Sequence, residues 1–174
     1  MSPDSKQAPP PGSVDVRGPR FAAWITSAVL ALVLVLSAFA PAAAAVLVGL
    51  QAVVFALGAA LGPRRSPYGR IYAAVLAPRN GPVTETEPVA PLRFAQLLGL
   101  VFSAVSLLGF LAGATVVGGV FAGFALFAAF LNAAFGICLG CQIYPLVARL
   151  RRPAGSTHPG GSATDHPQVS PAPN

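Results

Sequence analysis

Residues 94–148 read FAQLLGLVFSAVSLLGFLAGATVVGGVFAGFALFAAFLNAAFGICLGCQIYPLVA, 55 residues without one Asp, Glu, Lys, Arg or His. One bilayer crossing needs about 20 apolar residues, so this run is too long for one span and fits two, folded back on each other. Residues 21–63 form a second uncharged run, of 43 residues. Only 9% of the 174 residues are charged, against about a quarter in soluble domains, and no soluble domain of this size hides two such blocks. The chain reads as an all-α integral membrane protein with four transmembrane helices near 21–39, 43–61, 94–113 and 119–139, arranged as two helical hairpins.

The net charge of +6 invites a nucleic-acid reading, which fails on position. All eleven basic residues precede the first block (Lys6, Arg17, Arg20), separate the blocks (Arg64, Arg65, Arg70, Arg79, Arg93) or follow the second (Arg149, Arg151, Arg152). An even number of crossings puts all of these on one face, and Arg and Lys near span ends mark the cytoplasmic side. The reading is a multi-pass plasma (inner) membrane protein in the lipid bilayer, with both termini and the central loop cytoplasmic. The uncharged turns, near Pro41 and near Gly118-Gly119, then lie outside. Arg17 and Arg20 followed by an apolar run and SAFAPAAAA also suit a cleaved secretory signal, but the run is long for one and a second span follows at once.

Residues 1–14 and 153–174, rich in Pro, Gly and Ser, read as disordered tails around a membrane domain at 15–152; His158 and His166 sit in the second tail as solvated residues. In the central loop Ser66 suits a helix N-cap and Pro67 a first helical position. Tyr68, Ile71, Tyr72, Val75 and Leu76 then fall on one apolar face, the pattern of a short helix lying in the membrane interface. The segment 79–92 reads as a flexible link in which Glu85 and Glu87 have no evident partner.

Three landmarks recur in order. Arg20-Phe21-Ala22 and Arg93-Phe94-Ala95 open the two hairpins, LGAALGP (57–63) and FGICLGC (135–141) close them, and IYAAVLAPR (71–79) and IYPLVARLR (143–151) follow. Each hairpin is therefore expected to end in a short interfacial helix, with Cys138 in the place of Ala60 and Cys141 in that of Pro63. Gly58, Gly62, Gly109, Gly113, Gly119, Gly123, Gly136 and Gly140 form four small-xxx-small pairs, which let helices approach closely in lipid.

Cys138 and Cys141, the only two cysteines, then sit where the fourth span leaves the membrane on the reduced, cytoplasmic side, which disfavours a permanent disulfide. Four readings are open: a redox pair that exchanges with a soluble thiol protein, a sulfur relay through a persulfide, half of a zinc site completed across a homo-oligomer, or small packed side chains. The redox reading favours Cys138 as attacking thiol, and its acidity turns on whether the helix breaks at Gly136, since a helix N-terminus favours thiolate and a C-terminus does not. Asn132, Gln51 and Gln96 are polar residues within spans, suited to bonds between helices. No acid, Lys, Arg or His lies inside a span, which weighs against a pump or coupled transporter, and no cofactor motif is present.

VDVRGPRFAAW (14–24), RRSPYGR (64–70), LRFAQLLG (92–99) and LNAAFGICLGC (131–141) together resemble a bacterial family common in actinobacteria, domain of unknown function 4395. The resemblance spans about residues 14–151. It implies a small multi-span membrane protein with the Cys pair as part of the family pattern, and a thioredoxin-like or sulfurtransferase protein as cytoplasmic partner. It supplies no substrate and leaves open whether the chain is an enzyme. A more distant likeness to four-span disulfide-generating quinone reductases stops at the cysteines, which those proteins place outside the cytoplasm. Two functions follow: a thiol-disulfide or sulfur-relay partner acting through the Cys-x-x-Cys pair, or a non-enzymatic membrane scaffold or anchor whose cysteines pack or bind a metal across a dimer.

Overall fold

The computed structural model describes residues 12–150; residues 1–11 of the tail expected at 1–14 and the whole of the tail expected at 153–174, with His158 and His166, lie outside the described residues. The chain runs through strand β1 (Ser13–Asp15), helices α1 (Arg17–Ser37), α2 (Pro41–Leu61) and α3 (Pro67–Val75), a 3-10 turn at Ala77–Arg79, strand β2 (Thr86–Pro88), and helices α4 (Val89–Leu111), α5 (Thr115–Phe135) and α6 (Leu139–Leu150). Helices α1, α2, α4 and α5 have 21, 21, 23 and 21 residues and are long and apolar enough to cross a membrane. A helix keeps its backbone hydrogen bonds inside the segment, which is what a chain in lipid requires.

These four helices close a ring: α1 packs on α2 and α5, α2 on α4, and α4 on α5. The core holds Leu30, Val33, Val48 and Phe110 among the small residues Ala44, Ala45, Ala122 and Ala125. Large apolar side chains such as Leu32, Val35, Leu50, Val53, Leu108 and Phe127 point outward. That distribution inverts a soluble bundle and suits lipid, where close backbone packing rather than exclusion of water holds helices together. Helices α4 and α5 approach closely at Gly109, where a Cβ would stand 2.7 Å from the Gly118 backbone nitrogen, and Ser106 Oγ donates to the Gly118 carbonyl at 2.7 Å.

The boundaries differ from the expected ones for identifiable reasons. The turn between α4 and α5 is at Gly113, not at Gly118-Gly119. Gly113 is left-handed (φ 74°), its N–H bonds the Phe110 carbonyl, and the Ala114 N–H reaches back to Gly109, which closes α4. Gly118 lies inside α5, where it lets the helices touch. Helix α4 starts at Val89, before the expected 94, because Pro91 falls in the first turn, where the missing N–H costs nothing. Ser13 and Val14, placed in the first tail by composition, pair in β1 with Pro88 and Glu87 of β2, inside the segment expected to be a flexible link.

Candidate functional site

The residue that ends the fourth long helix builds the site. Gly136 is left-handed (φ 68°), and its N–H bonds the Asn132 carbonyl. A side chain in that conformation is strained, so the helix stops there and the span ends at Phe135 rather than 139. The chain restarts two residues later. The Cys138 carbonyl accepts from the Gln142 N–H at 3.1 Å and its sulfur accepts from the Cys141 N–H at 3.3 Å. Cys138 is thus the N-cap of α6, with Cys141 at its third position.

The same construction stands at α3. Ser66 Oγ accepts from the Gly69 N–H at 3.1 Å, and the Ser66 carbonyl from the Arg70 N–H at 2.9 Å. Tyr72 packs on Phe21 with ring centres 5.9 Å apart, and Tyr144 on Phe94 at 6.0 Å. The structural counterpart of Cys138 is therefore Ser66, and that of Cys141 is Gly69. The match to Ala60 and Pro63 fails because the link between long and short helix has five residues in the first half, 62–66, and three in the second, 136–138. A thiol occupies the position that a hydroxyl fills in the other half of the molecule.

The pair lies under the small sheet and the start of α4. Val14, Leu92 and Cys138 form one buried cluster, with Val89, Ala95 and Cys141 against it, and a Cβ on Gly140 would stand 2.6 Å from Ala95. Hydrogen bonding by the Cys141 thiol lowers the Cys138 pKa, burial opposes it, and the Cys141 backbone N–H lowers it further; the net shift is down. Cys141, which gives up its proton last, moves strongly upward through that same bond, through burial and through the charge of Cys138. The break at Gly136 thus turns a helix C-terminus, which would repel a thiolate, into an N-terminus that attracts one.

Glu87 is the residue that sequence reasoning left without a role. One of its carboxylate oxygens is buried with no hydrogen-bond partner. Burial raises its pKa, Arg20 partly offsets this, and its charge raises both thiols. Only its pairing opposite buried Val14 in the sheet could have signalled it, and three-residue strands leave almost no pattern.

The arginines expected to mark topology converge on this end of the bundle. Arg93 donates at 2.7 Å to each of the Ala59 and Ala60 carbonyls, capping α2. The Arg20 guanidinium fills the space a side chain at Gly136 would need. The Arg17 N–H bonds Asp15 at 3.0 Å and its side chain the Gly81 carbonyl at 3.4 Å. Arg64 bonds the Ser13 carbonyl at 3.0 Å, and Arg65 is exposed beside them, its N–H on the Gly62 carbonyl.

Of the intramembrane amides, Gln51 is buried, accepts from the Tyr68 hydroxyl at 2.8 Å and donates to Thr26 at 3.5 Å, linking α1, α2 and α3. Gln96 and Asn132 instead face a cavity of about 90 Å³ between the long helices, whose wall also includes Thr26, Phe55 and Cys138. Among the described residues no three His, Cys, Asp or Glu side chains cluster closely enough to hold a metal ion.

Compared with known proteins, residues 14–149 match the family described as Domain of unknown function (DUF4395). No curated protein and no solved structure matches the chain.

Proposed function

Because the chain belongs to the DUF4395 family, whose description carries no activity, its chemistry has to be read from the site, and we propose that it is a membrane-embedded thiol-disulfide exchange protein acting through Cys138 and Cys141. The observation that carries this is the N-cap position of Cys138, with its sulfur receiving the Cys141 N–H. A Cys-x-x-Cys pair at a helix N-terminus holds one sulfur as the better thiolate and keeps the second within bonding reach.

In the exchange, the Cys138 thiolate attacks one sulfur of a disulfide on a thioredoxin-like protein. The partner's other sulfur leaves as thiolate. Cys141, on losing its proton, then attacks the Cys138 sulfur and expels the second partner sulfur. The pair ends as a disulfide, oxidised by two electrons, and the partner as a dithiol; the reverse runs by the same steps.

The assigned setting is the plasma membrane, with both termini, the central loop and the cysteines cytoplasmic. It is supported by the gathering of Arg17, Arg20, Arg64, Arg65 and Arg93 at the cysteine end. The two halves act as hairpin units, each with a short helix in the interface. Supporting that placement, Ile71 and Val75 of α3 and Ile143 and Leu146 of α6 are exposed alongside Arg70 and Arg149. A second reading, a scaffold with packed cysteines, draws on the burial of Cys138, which is 8% exposed.

Sided labelling decides between them. A membrane-impermeant maleimide is applied to right-side-out cells and to inverted vesicles, with and without prior mild oxidant. Labelling of the Cys138–Cys141 pair is expected only in inverted vesicles and only before oxidation. Labelling from outside would reverse the orientation, and thiols inert even to small permeant reagents, with or without oxidant, would leave the scaffold.

A further inference from the structure

The two cysteines differ in their surroundings. Cys138 is almost fully buried and forms part of the wall of the cavity between the long helices, whereas Cys141 is partly exposed and does not line it. Cys138 is therefore the less exposed of the two, and it shares the cavity wall with Gln96 and Asn132.

That cavity limits what can enter. At about 90 Å³ it is smaller than an engineered cavity of about 150 Å³ that accommodates benzene, so it suits a molecule of a few heavy atoms. No charged side chain lines it, and an ion there would be desolvated without a counter-charge. Gln96 and Asn132 both face it, and neither side chain hydrogen bonds to another described residue. Amides turned toward such a space favour an occupant that can both donate and accept.

We propose that Cys138 is oxidised from inside the bundle by a small uncharged hydroperoxide admitted to the cavity that Gln96 and Asn132 line, and that a cytoplasmic dithiol protein then reduces the disulfide. This rests on the thiol-disulfide reading and names the oxidant class. The Cys138 thiolate attacks one oxygen of hydrogen peroxide, and the O–O bond breaks. The far oxygen leaves as hydroxide and becomes water with a proton from solvent. Cys138 is now a sulfenic acid. The Cys141 sulfur attacks it, hydroxide leaves with the Cys141 proton as a second water, and the disulfide forms. The dithiol partner attacks the disulfide, passes through a mixed disulfide and departs oxidised, restoring both thiols. The sum is one peroxide and one dithiol giving two waters and one disulfide.

The test uses the full chain, purified and reconstituted, with the Cys138–Cys141 disulfide followed by mass spectrometry after rapid quenching. Rates with hydrogen peroxide and with cumene hydroperoxide are each divided by the rate of a free low-pKa thiol. The normalised peroxide rate is expected to exceed the cumene hydroperoxide rate at least tenfold. Ala129→Leu, which fills the cavity wall, should slow the peroxide reaction at least tenfold at unchanged helical content; Asn132→Leu repeats the test if the first variant misfolds. Equal normalised rates, or folded variants oxidised as fast as the parent, would overturn the proposal. If the parent pair still exchanges with a thioredoxin-type dithiol in that case, only the inside route falls; if it does neither, the exchange function falls as well.

Discussion

Cys138→Ser is expected to abolish both disulfide formation and exchange with a dithiol protein while leaving the fold nearly untouched. The hydroxyl of Ser66 already performs this capping role at α3, taking the Gly69 N–H at 3.1 Å, so a serine at 138 should take the Cys141 N–H in the same way. Cys138→Ala removes the acceptor as well. Loss of an N-cap costs about 1 kcal/mol, a shift of roughly 2–4 °C in melting temperature for a chain of this size. Both variants should lose all thiol exchange, and only the alanine variant should melt measurably lower. The comparison is made by thermal unfolding in detergent beside a disulfide-exchange assay. If serine destabilises as much as alanine, the thiol is not acting as the cap that the geometry gives it.

Gly109→Leu should collapse the bundle. A Cβ at 109 would stand 2.7 Å from the nitrogen and 3.0 Å from the Cα of Gly118. Both are backbone atoms on another helix, with no flexible side chain to give way. Overpacking costs about 1–3 kcal/mol and occasionally more, with contact to rigid backbone at the upper end, and the Ser106 bond to the Gly118 carbonyl would go with it. Gly119→Leu is the contrast: nothing lies within 4 Å of its Cβ direction. Leucine there should be neutral or stabilising by up to about 1 kcal/mol, since glycine is a poor helix former. Thermal unfolding of both variants in the same detergent, with helical content followed by circular dichroism, separates the two sites.

These glycines also show where sequence reading reaches and where it stops. The two long uncharged runs pointed to four spans because lipid leaves so little choice of residue and backbone. The Ser66-Pro67 start of α3 was equally legible, being a local signal. The Gly118-Gly119 pair misled: adjacent glycines read as a turn, yet Gly118 is helical because Gly109 needs its backbone close, a long-range cause that no local pattern carries. The counterpart of Cys138 was misplaced for a similar reason. Matching residues in order cannot see that one link is two residues shorter, whereas hydrogen bonds at the two caps can. Glu87 was invisible because its surroundings depend on a strand pairing of three residues and on Arg20 from α1.

The most direct measurement is the pH dependence of alkylation at each cysteine in the intact protein, read by mass spectrometry with a small neutral reagent. Only the thiolate reacts. Cys138, whose negative form is stabilised by the Cys141 thiol and N–H, should reach half its maximal rate below the ordinary thiol range near pH 8.5. Cys141, whose proton is retained by that same bond and by burial, should stay slow well above that range. Cys138 reacting at the lower pH, with Cys141 lagging behind it, is the expected result. Two thiols titrating together, or Cys138 lagging behind Cys141, would contradict the assignment of Cys138 as the activated sulfur at the head of α6.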